Sequence, residues 1–193
     1  MTPLDDFRPR LAGAQDWLGD LIAGIGDDQW HLPTPCTEFD VTALVEHLLA
    51  VQRRTLLLAT VRTVEGAPTA LPLPDGDVTG AFRAAFVEGQ RAWAEWTPED
   101  LAGRTVVHPI GTIPGAVAVA LYTNEHLVHG WDLAVATGQH SEAPADLVEP
   151  VLAFTKGALP AKRPPVMPFA DAIEPAPGAG VTEQLANWLG RAR

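Results

Sequence analysis

Thr123-Asn-Glu-His-Leu-Val-His-Gly-Trp-Asp-Leu-Ala134 lies within a long stretch that Pro114 opens and Gly138 closes. Proline suits the first turn of a helix and glycine the residue after its last turn, so the spacing predicts one long helix from Pro114 to Thr137. Ala118, Leu121, Val128, Leu133 and Ala136 give that helix an apolar stripe, with Tyr122 beside it. Glu125 and His129 stand four apart, which places both on one face, one turn from each other. Together with Asp132 they interrupt the stripe with groups that resist burial unless partnered. A divalent ion satisfies a carboxylate and an imidazole at once. The candidate third ligand is His47. His126 is expected to point away from the stripe as a surface residue, with a lesser claim to Glu125's place as ligand.

The remaining chain reads as a helical scaffold. Residues 3–25 form a helix with Pro3 in its first turn, Asp5 and Asp6 at the positive end of the dipole, and Gly24 and Gly26 at its end. A second helix starts near Asp40, capped by Asp40 or Thr37, and runs to about Val61 with Leu44, Val45, Leu48 and Gln52 inward. Residues 62–76 are a Pro/Gly-rich loop. A third helix covers roughly 77–96, and Thr97-Pro-Glu-Asp100 breaks it. Residues 104–114 are β-branched and read as an extended segment or small hairpin. Pro144–Gly157 and Val181–Arg191 are shorter helices, with a proline-rich irregular stretch at 158–180 between them. No strand run supports a sheet-based fold. The expected class is all-α, a four-helix bundle with a short extended segment and extra C-terminal helices, over 1–193 as a single domain.

Composition narrows the function. A net charge of −11 without basic clusters argues against nucleic acid or an anionic membrane as partner. No apolar run approaches the ~20 residues needed to span a bilayer, and the acidic start is unlike a signal peptide, so the expected location is cytoplasmic. Monomer and homodimer are both compatible with the sequence. The use of only two lysines, against many Ala, Arg, Pro and Gly, suggests a GC-rich genome. The one cysteine, Cys36, excludes an internal disulfide. Cysteine-based zinc sites are likewise set aside, and any metal site is expected to use His and carboxylate.

His47, Glu125 and His129 would make a three-ligand set with open positions, the pattern of catalytic rather than structural zinc. Such an ion can lower the pKa of a bound water or thiol, or polarise a carbonyl. Asp132, one turn beyond His129, reads either as an acceptor orienting a ligand histidine or as a buried carboxylate capping backbone. Arg54 and Tyr122 are candidates for binding substrate, although a solvated face is the plainer reading of Arg53 and Arg54. Trp93 and Trp131 read as core before pocket lining, and Cys36 as a packed, inert thiol with nothing basic nearby in sequence.

Three segments carry a family resemblance. They are Pro33-Thr-Pro-Cys-Thr-Glu-Phe-Asp-Val-Thr-Ala-Leu-Val-Glu-His47, Glu125-His-Leu-Val-His-Gly-Trp-Asp-Leu-Ala134 with Thr137-Gly138, and Leu189-Gly-Arg191. The chain resembles the DinB-like superfamily, in particular the group named after the metal-binding N-terminal domain of mycothiol-dependent maleylpyruvate isomerase. The resemblance implies a four-helix bundle holding a divalent ion, zinc or nickel, at the positions matching His47, Glu125 and His129. It implies mycothiol as cosubstrate, a small-molecule electrophile as its partner in the reaction, and an actinobacterial source. The isomerase carries a further C-terminal domain for which this chain leaves no room, so thiol transfer to an electrophile is the broader expectation. A metal-dependent hydrolase, with Asp132 or Glu125 moving protons, and a non-catalytic metal-stabilised binding module are the alternatives.

Overall fold

In the computed structural model, which describes residues 5–164 and 170–193, seven helices and one two-stranded hairpin are found. They are α1 (Arg8–Ala23), α2 (Val41–Thr60), α3 (Val78–Ala94), α4 (Pro98–Gly103), β1 (Thr105–His108), β2 (Gly111–Pro114), α5 (Gly115–Thr137), α6 (Ala145–Ala158) and α7 (Val181–Trp188). The four long helices form the bundle. α1 packs on α3 and α5, and α2 packs on the same two, so α1 and α2 face each other diagonally. α6 and α7 pack together and cover α5. The all-α expectation holds, and no described helix is long and apolar enough to cross a membrane.

Local signals explain most helix ends. Asp40 caps α2 by accepting from the Ala43 N–H at 2.8 Å. Asp77 does the same for α3 through Gly80. Gly138 ends α5 at φ 71°, a left-handed conformation that suits glycine. Three ends depart from the sequence reading. α1 begins at Arg8 with Pro9 in its first turn, while Pro3 lies outside the described residues. Asp6, expected to serve the helix dipole, instead pairs with Arg8 at 2.7 Å. Thr97-Pro-Glu-Asp100 does not merely break the chain but starts α4 as a reciprocal capping box between Thr97 and Asp100.

The third departure matters for the site. α7 was expected to reach Arg191, yet it ends at Trp188. Gly190 takes φ 83° and turns the chain back, with the Arg191 N–H donating to Ala186 O and Asn187 Nδ2 donating to Arg191 O. The loop at 62–76 also has more order than its composition suggests. Val64 N–H donates to Val107 O and Val107 N–H to Arg62 O, so this loop is laid against the hairpin. Within 158–180, residues 165–169 lie outside the described residues. The rest of that stretch is tied to the end of α7 through Arg163 with Trp188 O and Ile173 with Asn187 O.

α5 is enclosed on almost every side rather than along one stripe. Leu121 and Ala136, placed in the stripe by helical spacing, are only half-buried, whereas His126 is fully buried. The expectation of a surface His126 therefore fails: the helix has no solvent face at that position. A chain of side-chain amides makes the burial affordable. Gln90 donates to Gln15 at 2.9 Å, Gln15 to Gln52 at 2.9 Å, and Gln52 to His126 Nε2, whose Nδ1–H donates to Tyr122 O. Each group in this diagonal network is used, which is the condition for keeping polar atoms in a core. Burial pushes the His126 pKa down to about 4.

Candidate metal centre

α2 supplies His47 and α5 supplies Glu125 and His129, and the fold brings their donor atoms together. His47 Nε2 lies 3.4 Å from Glu125 Oε1, and His129 Nε2 lies 3.7 Å from the same oxygen. One donor atom from each of the three residues falls within 4.8 Å of the others. Donors around an ion with ~2.0–2.1 Å bonds stand roughly 3–3.5 Å apart, so the set is close to ligation geometry as it stands.

Both histidine rings are held by hydrogen bonds. His47 Nδ1–H donates to the carbonyl of Thr69 at 2.9 Å, and His129 Nδ1–H donates to Asp132 Oδ2 at 3.0 Å. Each ring therefore turns its Nε2 toward Glu125, the arrangement by which outer groups orient a ligand histidine. Phe39 stacks on His47 with ring centroids 5.1 Å apart and meets His129 edge-on at 6.2 Å. Of the two readings of Asp132, the structure favours orientation of His129. The sequence reading gave no role to Thr69 or to Phe39. A backbone carbonyl leaves no trace in sequence, and Phe39 looks like any helix-flanking apolar residue.

Electrostatics favour positive charge here. Burial alone would depress His129, but hydrogen bonds and attraction from Asp132 and Glu125 outweigh it and lift the pKa to about 9. The desolvation that would raise Glu125 is likewise outweighed by hydrogen bonds and attraction from His129 and His47, which hold its carboxyl well below the usual range. The proton on His129 stands where an ion would otherwise balance two carboxylates.

The centre has an open and a closed side. The Glu125 side chain is 38% exposed, while Asp132 is fully buried behind His129. His108 and the buried Tyr122 meet edge-on at 5.6 Å, and both sense the charges of Glu125 and Arg54. Burial lowers the His108 pKa and raises that of Tyr122. His108 was missed in the sequence, since a histidine ending a short strand carries no signal. Arg54 is not a free solvated arginine. Its Nε and Nη2 donate to Pro68 O and Ala67 O at 3.0 and 3.2 Å, which ties the 62–76 loop beside the site. Trp93 and Trp131 are core residues.

On the closed side Cys36 is packed, as expected, but it has neighbours the local sequence does not show. Its Sγ accepts from Arg191 Nη2 at 3.2 Å, so a basic group does reach it, from 155 residues away. Burial pushes the thiol pKa up and Arg191 pulls it down, with the net shift upward. Cys36, His129 and Asp132 also form a second candidate ligand set, with donor atoms within 4.8 Å. The expectation that only His and carboxylate could form a candidate set is thereby corrected, since His129 and Asp132 supply donors beside the lone cysteine.

Residues 11–134 match the family model described as mycothiol maleylpyruvate isomerase N-terminal domain. Two uncharacterized proteins of Mycobacterium tuberculosis, from strains CDC 1551 / Oshkosh and ATCC 25618 / H37Rv, are each 34% identical to the chain over 181 residues, or 92% of this chain and 93% of theirs. No solved structure matches. The matched range holds His47, Glu125, His129 and Asp132 and stops short of Arg191.

Proposed function

The chain belongs to the mycothiol maleylpyruvate isomerase N-terminal domain family, and we propose that it is a divalent-metal enzyme that activates a low-molecular-weight thiol, mycothiol, for transfer to or isomerisation of an electrophilic small molecule. The observation that carries this reading is the convergence of His47 Nε2, Glu125 Oε1 and His129 Nε2 on one point with Glu125 open to solvent. Two imidazoles and a carboxylate suit zinc or nickel. The ion supplies Lewis acidity that makes a thiol ionise near neutral pH.

The protein's own groups set the geometry. Thr69 and Asp132 hold the two imidazoles in their ligating tautomer, and Phe39 closes one side of both rings. His108 and Tyr122, in contact with each other, lie within electrostatic reach of Glu125 and Arg54, and are the groups nearest to hand for thiol and electrophile. The hydrolase alternative needs a free carboxylate to move protons. Asp132 is fully buried and engaged by His129 and Arg191, and Glu125 is engaged by both histidines. These engagements favour thiol chemistry over hydrolysis.

The test is a steady-state assay of the zinc- or nickel-loaded protein with mycothiol and an activated electrophile. Saturable, thiol-dependent turnover that disappears in His47→Ala and His129→Ala is expected. Turnover that persists in either variant, or that needs no thiol, overturns the reading.

A further inference from the structure

Arg191, partly buried, brings a permanent positive charge against the buried side of the centre. Its Nε donates to Asp132 Oδ2 at 3.3 Å and its Nη2 to Cys36 Sγ at 3.2 Å. The turn at Gly190 aims it there, and a Cβ on Gly190 would meet Ala170. Its two partners belong to the inner donor set, Cys36, Asp132 and His129, whose sulfur, oxygen and nitrogen atoms suit zinc or cobalt. Asp132 Oδ1 is a further buried acceptor with no partner among the described residues. The protein thus holds two overlapping ligand sets that share His129, an outer one open to solvent through Glu125 and an inner one sealed from it.

We propose that the Arg191 guanidinium is the resident cation of the inner set, and that by filling it Arg191 directs the metal ion to the outer set, where substrates have access. The inference rests on the metal reading of His47, Glu125 and His129 given above. A guanidinium cannot shed its charge, and here it hydrogen-bonds both the carboxylate and the sulfur that an inner ion would need. An ion entering the inner set would have to displace it. It would also expel the thiol proton of Cys36 and the Nδ1 proton of His129 to solvent. Without the guanidinium, Asp132 keeps a buried charge with an unused oxygen, and an ion becomes the available counter-charge. Arg191 is therefore a positioning residue that acts through Asp132 and Cys36.

Cobalt(II) added to the full chain tests this, because sulfur-to-cobalt charge-transfer absorption reports ligation by Cys36. The wild type is expected to take up cobalt without that band. Arg191→Ala is expected to show the band and to lose it when Cys36→Ser is added. Arg191→Gln, neutral but similar in length, carries the same expectation if circular dichroism shows that Arg191→Ala fails to fold. A sulfur band in the wild type, or its absence from the folded Arg191 variants, overturns the inference. The outer-set reading is checked separately by His47→Ala, which should abolish wild-type cobalt uptake. A wild type that binds no cobalt beside an Arg191 variant that shows the band defeats the outer-set reading and leaves standing only the guanidinium's occupation of the inner set.

Discussion

In the metal-free protein His129 holds a proton that an incoming ion must displace. Two carboxylates, Asp132 at 3.0 Å and Glu125 at 3.7 Å, raise its pKa to about 9. Ligation needs the neutral ring, so metal uptake at pH 7 should release this proton. Apparent affinity should then climb about tenfold per pH unit from pH 7 to 9, roughly a hundredfold or about 2.7 kcal/mol in all. The same shift acts on metal-free stability with a definite sign. The folded pKa lies above the ordinary 6.5, so the stabilisation is complete below pH 6.5 and is lost as pH rises to about 9. Its size is about 3 kcal/mol. Calorimetric titration with zinc in two buffers of different ionisation heat counts the released protons, and urea unfolding of the metal-free chain across pH 6.5–9 reads the stability. Zinc binding at pH 7 that releases no proton, or that is flat in pH up to 9, would refute this account of the site.

Three further predictions follow from buried groups around α5. Asp132→Asn keeps the shape but weakens the hold on His129 and removes the charge opposite Arg191. Zinc affinity should fall about 10–100-fold, and competition with a chelating dye will show whether it does. His126, with its pKa lowered to about 4, stabilises the fold as a neutral ring above pH 6.5. That contribution, about 3 kcal/mol, should be lost as pH falls from 6.5 to 4. His126→Gln, which does not titrate, should show a flatter stability profile over that range in denaturant unfolding. Gly130→Ala drives a Cβ into the Trp17 ring. Overpacking of ~1–3 kcal/mol should outweigh the gain of ~1 kcal/mol in helix propensity, so calorimetry should show a lower melting temperature, and a higher one would contradict the contact.

Local periodicity made much of this protein legible. The Pro114–Gly138 frame gives α5 nearly to the residue, and helical spacing alone puts Glu125 and His129 together. Asp132 three residues after His129 is the same kind of local signal. Capping chemistry at Asp40 fixes the start of α2 and hence where along that helix His47 falls. What failed was any question about which side of a helix remains open. His126 was assigned to solvent because a surface helix has a polar face, but that side of α5 faces the bundle interior, where His126 meets Gln52 of α2 and Phe86 of α3. The sequence does carry a hint, since Gln15 and Gln52 stand on the inward sides of α1 and α2, where a buried polar partner would be needed.

The closed side of the centre could not be read in this way, for a physical reason. Arg191 meets Asp132 across 59 residues and Cys36 across 155, and these contacts depend on α7 stopping three residues before the arginine. Had the helix continued to Arg191, as its apolar spacing suggested, the side chain's direction would be set by helical periodicity. Gly190 instead adopts φ 83° and turns Arg191 inward. A glycine shortly after an apolar helical run is a stop signal, and taking it as one would have ended α7 early and freed Arg191 to face the bundle. Even so, only the packed fold places that charge between a thiol and a carboxylate that share a histidine with the outer ligand set. The ligands of an ion are legible from spacing on helices, whereas what keeps the ion out of the neighbouring set depends on where a turn points.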